Sequence, residues 1–311
     1  MKFNDATIQS TGAFLVGELE RLDPELYGPI ADFTWSRDID LREDVTIADE
    51  VSSFILSNYA GGFGGTGPGK KNWITGMDTT PAQVGVSQTK VTSPITPWGG
   101  EVSYSILELE RAMKTGRPID VQKFDALRMK HQLDIDQMVY LGDDEVGVSG
   151  LLNNSAVTAA NVGAITSSTP VADVLDIFNT ILEQAWAATQ YTRIPDRMLV
   201  PPAVFKILVG TQLPNTKSNL LNFILENSLT RANGKFLEIW PVKYLADTSI
   251  FATPKIVAYT KDRSVVRFPL VQLQSLPVQF RDYMQTVPYY GALGAVEFVR
   301  PEMVYYGVLA S

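Results

Sequence analysis

The clearest hydrophobic pattern in the chain lies between Asp120 and Leu141. Positions three or four apart carry apolar side chains and one histidine, at Phe124, Leu127, His131, Ile135 and Met138. That spacing places them on one face of an α-helix, with most of the charged residues on the other. The pattern predicts a helix of roughly 30 Å, at about 1.5 Å per residue. A shorter helix is predicted at 106–113, so that residues 101–140 are helical overall.

The second half of the chain changes pattern twice. An amphipathic helix is predicted at Val171–Gln190 and is followed by alternating helical and extended patterns: helices at 203–209 and 219–229, and strands at 197–200, 237–245, 250–251 and 255–260. This alternation indicates an α/β unit with its own core. From Ser264 the pattern is extended. Proline is disfavoured in central strands, so we expect four prolines to divide it into short strands, at Pro269, Pro277, Pro288 and Pro301.

Residues 1–100 predict extended structure more than a packed domain. A short helix is predicted at 14–22, and extended segments at 33–49 and 51–59. Residues 60–100 then carry ten Gly and four Pro. The apolar positions that remain are too few to form a core. The simplest prediction is a long two-stranded hairpin reaching about 60 Å, at about 3.3 Å per residue. Isolated ribbons are marginally stable in water, so this hairpin needs support from outside its own domain.

Composition restricts the chemistry of this 311-residue chain. It is 45% hydrophobic and 19% charged, which is typical of a folded soluble protein. It has no Cys, which excludes disulfides, thiolate catalysis and Cys-ligated metals. Its single histidine argues against His-based metal sites and Ser–His catalysis. We therefore expect no enzyme, with no catalytic residue, cofactor or metal site.

Charge and hydropathy restrict the partners. A net charge of −8 argues against a dedicated nucleic-acid reader, which normally has a basic surface, but not against a protein that surrounds nucleic acid without gripping it. No apolar run approaches the roughly 20 residues of a membrane-spanning helix. We expect no membrane partner.

One stretch comes close to a phosphate-binding loop. In GGTGPGKK, residues 64–71, the motif positions are matched by Gly64, Gly69 and Lys70. The last position is Lys71, which has no hydroxyl for Mg²⁺, and the following residues do not begin a helix that could hold phosphate. The favoured interpretation is a flexible glycine turn.

Three other features have a plain and a functional interpretation. His131 is interpreted as a buried histidine with satisfied hydrogen bonds, the alternative being a pH-sensitive packing switch. The acidic run 143–145 is interpreted as a solvated loop rather than a cation site. The charged residues Arg37, Asp38, Asp40 and Arg42 form either a charged strand face or a salt-bridge strip between subunits.

The order of these parts resembles that of a known family. An N-terminal arm, a Gly-rich extended loop and a long helix are followed by Gly150-Leu151-Leu152-Asn153, an α/β block and the closing segment YMQTVPYYGALGAVEFVRPEMVYYGVL at 283–309. The chain resembles the major capsid proteins of tailed bacteriophages. These have the Hong Kong 97-like fold, which encapsulin nanocompartments share.

The resemblance implies an α+β fold with four parts. Residues 1–50 would be an N-terminal arm and 51–100 an extended β-hairpin loop. A peripheral domain would comprise 101–164 and 264–311, with a spine helix at about 118–141. An α/β axial domain would comprise 165–263.

The resemblance also implies a function without catalysis. Copies of the chain would form pentamers and hexamers of an icosahedral head shell around phage double-stranded DNA, in the virion, after assembly in the host cytoplasm. Scaffold, portal and decoration proteins would be further partners. Candidate contacts between subunits are Arg37, Asp38, Asp40, Arg42, Lys70, Lys71, Trp73, Lys90 and Trp98. The alternatives are an encapsulin-type compartment shell and a soluble enzyme with a Gly-rich lid.

Overall fold

The computed structural model describes residues 32–61, 84–115, 119–213, 218–247 and 249–309. The predicted helix at 14–22 and the predicted hairpin tip, 62–83, lie outside this part of the chain. The helices are α1 (Trp35–Asp38), α2 (Ile106–Thr115), α3 (Ile119–Tyr140), α4 (Val171–Ala188), α5 (Pro202–Gly210), α6 (Leu220–Asn227) and α7 (Leu229–Ala232). Two 3₁₀ turns span Lys243–Ala246 and Pro301–Met303.

The strands are β1 (Asp40–Arg42), β2 (Val51–Gly61), β3 (Val84–Ser105), β4 (Gly142–Asp143), β5 (Val148–Ser149), β6 (Thr158–Asn161), β7 (Arg197–Val200), β8 (Glu238–Pro241), β9 (Lys255–Tyr259), β10 (Val266–Ser275), β11 (Gln279–Arg281), β12 (Met284–Gly294), β13 (Glu297–Phe298) and β14 (Val304–Val308). They form a seven-stranded sheet, a five-stranded sheet and the small β4–β5 hairpin.

The long helix predicted from the apolar spacing is present as α3. Its stripe is buried only in the C-terminal half, where His131, Ile135 and Met138 are buried, whereas Phe124 is exposed. The N-terminal half lies over β3. There Lys123 Nζ donates a hydrogen bond to the carbonyl oxygen of Ser103 at 2.9 Å. The apolar stripe is therefore buried along only part of its length, because the N-terminal half of α3 extends beyond the apolar core.

The residues after α3 close the helix by satisfying its last carbonyl groups. Leu151 N donates to Val139 O at 2.7 Å, and Leu152 N donates to Tyr140 O at 3.0 Å. The Asn153 side chain donates to Leu141 O at 2.7 Å. Its amide oxygen also accepts from Gly150 N at 2.7 Å. The Gly-Leu-Leu-Asn stretch is therefore the C-terminal cap of the long helix.

The seven-stranded sheet has the order β1-β10-β12-β3-β2, with β11 on β12 and β13 on β10. Strand β3 belongs to two ladders in succession. Residues 84–94 pair with β2, and residues 95–105 pair with β12. The prediction of helix over 101–105 is wrong, because these residues continue the β12 ladder up to Ser105. The helical pattern begins only at Ile106.

Proline divides the C-terminal segment at two of the four predicted positions, since Pro277 lies between β10 and β11 and Pro301 lies between β13 and β14. The other two prolines lie within strands. Strand β10 runs through Pro269 and β12 runs through Pro288. Both prolines lie where a neighbouring ladder is interrupted. Pairing of β10 with β13 ends at Arg267, and pairing with β12 begins at Leu270. A missing N–H is tolerated at such a gap.

The five-stranded sheet has the order β6-β14-β9-β7-β8. Helix α4 covers it, and the predicted apolar side of this helix is buried at Val174, Phe178, Ile181, Leu182 and Ala185. The predicted strand at 250–251 is wrong, since these residues follow a turn at Asp247. The predicted strand at 237–245 is shorter, because it gives way to the 3₁₀ turn at Lys243–Ala246.

Two apolar cores stabilise the fold. One joins the end of α3 to the seven-stranded sheet and to strands β7, β9 and β14 of the five-stranded sheet. The other packs the helices α4, α5 and α6 against the five-stranded sheet. Residues 33–49 are less extended than predicted. The N–H groups of Thr34 and Trp35 donate to Asp136 Oδ1 at 2.9 and 3.1 Å, and this carboxylate of α3 holds the start of α1.

Candidate functional site

A buried carboxylate fixes the segment that leads into the large sheet. Asp38 is fully buried at the end of α1. Its two oxygens accept hydrogen bonds from Arg37 Nε and Nη2, each at 2.7 Å. The Tyr140 hydroxyl of α3 also donates to it. Arg197 Nη1 of β7 lies 3.3 Å from Asp38 Oδ1. Groups from three elements thus converge on one carboxylate.

The backbone around Asp38 is held as firmly as its side chain. The Tyr259 hydroxyl donates to Asp38 O at 2.6 Å, and Lys261 Nζ donates to Arg37 O at 2.7 Å. Burial, together with the Asp38 charge, raises the pKa of Tyr259 well above its ordinary value. The phenol therefore stays protonated and remains a donor. The segment 37–38 is clamped between the long helix and the five-stranded sheet.

The other charged candidates of this segment also have partners within the chain. Asp40 lies 3.7 Å from Lys261 Nζ. Arg42 pairs with Asp44 at 2.7 Å and with the buried Glu297 at 3.3 Å. The observed contacts of Arg37, Asp38, Asp40 and Arg42 thus lie inside one subunit. Their use between subunits stays a prediction.

The predicted hairpin is present and projects unprotected side chains. Strands β2 and β3 pair antiparallel from Val51↔Pro94 to Gly61↔Val84. On one face Val51, Ile55 and Val86 are 53%, 62% and 57% exposed. Lys90 is exposed on the same face, opposite Ile55. Apolar side chains at this level of exposure along a two-stranded ribbon indicate a contact surface.

At the base of the hairpin, Trp98 docks onto the long helix. Its indole N–H donates to Asp134 Oδ2 at 3.0 Å, and its ring meets His131 edge-on with the centroids 4.7 Å apart. His131 is only 4% exposed, and its Nε2 has no hydrogen-bond partner in the described part of the chain. The interpretation of His131 as a satisfied histidine is therefore wrong in this respect. Burial lowers its pKa.

A second exposed surface was not predicted. The hairpin formed by β11 and the start of β12 carries Phe280 and Tyr283, which are 79% and 81% exposed. Beside it, Leu107 of α2 is 64% exposed, and Ile106 N donates to Tyr283 O at 3.2 Å. In SLPVQFRDYM, 275–284, the apolar residues Leu276, Val278 and Phe280 alternate with other residues, as in a half-buried strand. The sequence pattern therefore gave no sign that this hairpin is exposed.

The remaining candidates are placed as follows. Lys70, Lys71, Trp73 and the loop 64–71 lie outside the described residues. The acidic run 143–145 forms the turn between β4 and β5, where Asp143 Oδ1 accepts from Glu145 N at 2.9 Å. Among the described residues, no group of three or more His, Cys, Asp or Glu could hold a metal ion. No described helix is long and apolar enough to cross a membrane.

The structure thus has exposed hairpins that project from a well-packed subunit, as expected of a protein that assembles with other copies. The comparison with known families agrees with this expectation. Residues 69–307 match the family model described as major capsid protein. The chain belongs to this family. The major capsid protein is a structural protein of the viral head shell, and the compartment-shell alternative is not favoured. No protein with a curated description matches the sequence.

Solved structures establish the fold of this major capsid protein as Hong Kong 97-like. The capsid of Myoviridae phage XM1 is similar with a TM-score of 0.77 at 18% identity, over 94% of this chain and 98% of that one. A chain of Mycobacterium phage Bobi is similar with a TM-score of 0.60 at 10% identity, over 100% of both chains. A virus-like particle from Pyrococcus furiosus is less similar, with a TM-score of 0.50 at 12% identity, over 88% of this chain and 91% of that one.

Proposed function

We propose that copies of this chain associate as pentamers and hexamers into an icosahedral head shell that encloses double-stranded DNA. The β2–β3 hairpin lies on a neighbouring copy and so gains the support that it lacks in one subunit. The net charge of −8 suits a wall that surrounds DNA without binding its sequence. The proposal requires no catalytic step.

The observation that carries this proposal is the exposure of the hairpin. Residues 85–90 of β3 are all exposed, and Ile55 on β2 is 62% exposed. A second copy that covers this surface removes apolar area from water, at about 25 cal/mol per Å². The exposed aromatic hairpin around Phe280 and Tyr283 supports a further contact between copies. Contacts of unlike patches close into rings and shells.

The domain division is part of the proposal. Residues 1–50 form the arm and 51–100 the extended loop. Residues 165–263 form the axial domain around the fivefold and sixfold positions, and 101–164 with 264–311 form the peripheral domain. The core around α4 supports a division of this kind, because all of its buried residues except Tyr305 and Leu309 lie within 165–263. Strand β14 crosses the division, because Val304–Val308 pairs with β9. Scaffold, portal and decoration proteins are the expected further partners, with assembly in the host cytoplasm.

Sedimentation and negative-stain imaging of the purified chain test the proposal. We expect large, regular particles from the unchanged sequence and few from Ile55→Asp, since a charge there opposes burial of the hairpin. Ile250→Asp is the matched control, because Ile250 is also exposed, at 40%, but lies outside the hairpin. A monodisperse monomer under all assembly conditions would refute the shell.

The contents of particles isolated from cells separate the two kinds of shell. Double-stranded DNA inside supports the proposed head shell. A packaged enzyme without DNA supports a compartment shell instead and would overturn this proposal.

A further inference from the structure

A groove beside the long helix has no assigned role. It lies between α3, the segment 35–41 and the strands β10 and β12, and its volume is about 540 Å³. Apolar walls come from Trp35, Leu41, Phe124 and Leu270. A volume of this size accommodates several side chains of a partner.

Among the residues that line the groove, Arg128 carries a full charge, whereas Gln132 Oε1 already accepts a hydrogen bond from Trp35 Nε1 at 3.0 Å. Arg128 of α3 is exposed and forms no ion pair with the described residues. His131 also lines the groove, and its unpaired Nε2 is buried. None of the residues that line this groove is acidic, and Asp125 lies in an adjoining depression that Arg128 also lines. The groove therefore suits an apolar side chain accompanied by a carboxylate.

The loop between β1 and β2 has this chemistry. Residues 43–50 contain four acidic side chains and no basic one. Ile47, at its turn, is 44% exposed. The turn is ordered by Asp49 Oδ2, which accepts from Thr46 N at 2.8 Å and from Thr46 Oγ1 at 2.9 Å. Glu43 and Glu50 are exposed and form no ion pair with the described residues.

The loop 43–50 differs in charge from the exposed aromatic hairpin at 279–284. The aromatic hairpin carries Arg281 beside Asp282, so that its tip has no net charge. In the loop 43–50, Asp44 is paired with Arg42, and the other three carboxylates form no ion pair with the described residues. The groove presents Arg128. Electrostatic complementarity therefore favours the loop as the occupant.

The loop and the groove lie on opposite faces of the same sheet. Val45 packs with Ile95, Val271 and Ala292. The adjacent residues Leu270 and Leu293 point to the other face, into the core shared with α3. The sheet thus separates the loop of one copy from the groove of that same copy. A projection on one face and a groove on the other are suited to a head-to-tail contact between copies.

We propose that the acidic loop 43–50 of one copy docks in the α3 groove of the next, with Ile47 between the apolar walls and a carboxylate facing Arg128. This contact rests on the proposed shell and adds a specific pair of surfaces to it. It repeats from copy to copy, because each copy carries both surfaces.

The absence of Cys allows a direct test. Ile47→Cys and Ser275→Cys are made in separate chains, since Ser275 lines the groove and is exposed. The two chains are co-assembled and treated with a short bismaleimide. Mass spectrometry should find a peptide joining residues 47 and 275. The matched control replaces the second variant with Ser155→Cys, because Ser155 is also exposed but does not line the groove. Unchanged unfolding midpoints verify that each variant folds.

A charge reversal gives a second readout. Arg128→Glu should raise the concentration needed for particle formation about tenfold. The exposed Arg263→Glu should leave it unchanged. If shells form but residues 47 and 275 cross-link no more than 47 and 155, the docking contact is refuted and the shell is not. If the unchanged chain forms no shell, the proposed function itself fails.

Discussion

At the scale of single residues, we expect the buried Asp38 to contribute more to the stability of the subunit than an exposed charged residue does. It is fully buried and receives two guanidinium groups and a phenol from separate elements. Buried carboxylates are costly unless all their acceptor positions are used. Here they are used by groups that come from α1, α3 and β7. The residue therefore links α1, α3 and β7 by polar contacts, next to the apolar core that contains residues of the same three elements.

Replacing Asp38 by Asn should be strongly destabilising. Removal of the charge leaves Arg37 and Arg197 without their buried partner, which costs about 3–5 kcal/mol. The free energy of unfolding from urea titration measures this loss. Asp44→Asn is the matched control, because Asp44 pairs with Arg42 while 66% exposed. The control should lose less than about 1 kcal/mol. Equal losses would contradict the role of Asp38.

His131 makes the stability of the subunit depend on pH. Burial lowers its pKa in the folded state below the ordinary value of about 6.5, and Asp134 opposes this only in part. As the pH falls below about 6.5 the unfolded chain takes up the proton first, so stability decreases down to the lowered folded pKa. Burial raises the pKa of Asp196, which acts in the opposite direction.

We expect His131→Leu to flatten this dependence. Urea unfolding of the unassembled chain between pH 7.5 and 5.5 should show less loss of stability in the variant than in the unchanged protein. Because the chain has a single histidine, the difference between the two curves isolates its contribution. Parallel curves would mean that His131 is not protonated on unfolding in this range.

At the scale of elements, the long helix depends on a four-residue cap. Gly150 lies directly against the last turn of α3. A Cβ there would stand 2.4 Å from the carbonyl carbon of Tyr140 and 2.5 Å from Leu141 N. Both neighbours are backbone atoms, which cannot rotate away. The close approach aligns Leu151 and Leu152 with the free carbonyls of the helix.

The cap predicts a sharp difference between two glycines. Gly150→Ala should force the backbone apart and reduce the free energy of unfolding by about 3 kcal/mol. Gly210→Ala at the end of α5 meets nothing within 4 Å and should change it by less than about 1 kcal/mol. Thermal unfolding of both variants measures the difference. A mild effect at Gly150 would show that the cap adapts.

At the scale of the whole molecule, a well-packed subunit exposes apolar surfaces that nothing covers in a single copy. The hairpin β2–β3, the acidic loop 43–50 and the aromatic hairpin at 279–284 all project apolar side chains. Strands β7 and β9, in contrast, are buried within one subunit. Assembly should therefore change the protection of the first group and leave the second as it is.

Hydrogen exchange of free and assembled protein tests this division. Amides of 51–57 and 85–94 should exchange quickly in the free chain, because a two-stranded ribbon opens easily. Their exchange should slow at least about tenfold in particles, the factor given by 1.4 kcal/mol of added protection. Amides of 255–259 serve as the internal control and should not change. Equal slowing of both segments would indicate general stiffening instead of hairpin contact.

The sequence by itself determined the elements whose patterns are local. The spacing of apolar residues located α3 and α4, and the absence of Cys with a single histidine turned attention from catalysis to assembly. Glycine and proline density located the hairpin. The spacing and density signals are each carried within a few turns of helix or a few residues of strand, so neighbouring residues suffice to interpret them. The Cys and His counts are properties of composition and need no structure.

Only the tertiary structure decided what depends on distant partners. Residues 101–105 are strand because β12 pairs with them, and the prolines at 269 and 288 fit because neighbouring ladders are interrupted there. The partners of the Asp38 carboxylate come from positions up to 159 residues away, which no local pattern reveals. Exposure of Phe280 and Tyr283 likewise follows from the path of the chain. Pairing and burial are properties of contacts, and contacts are set by the whole fold.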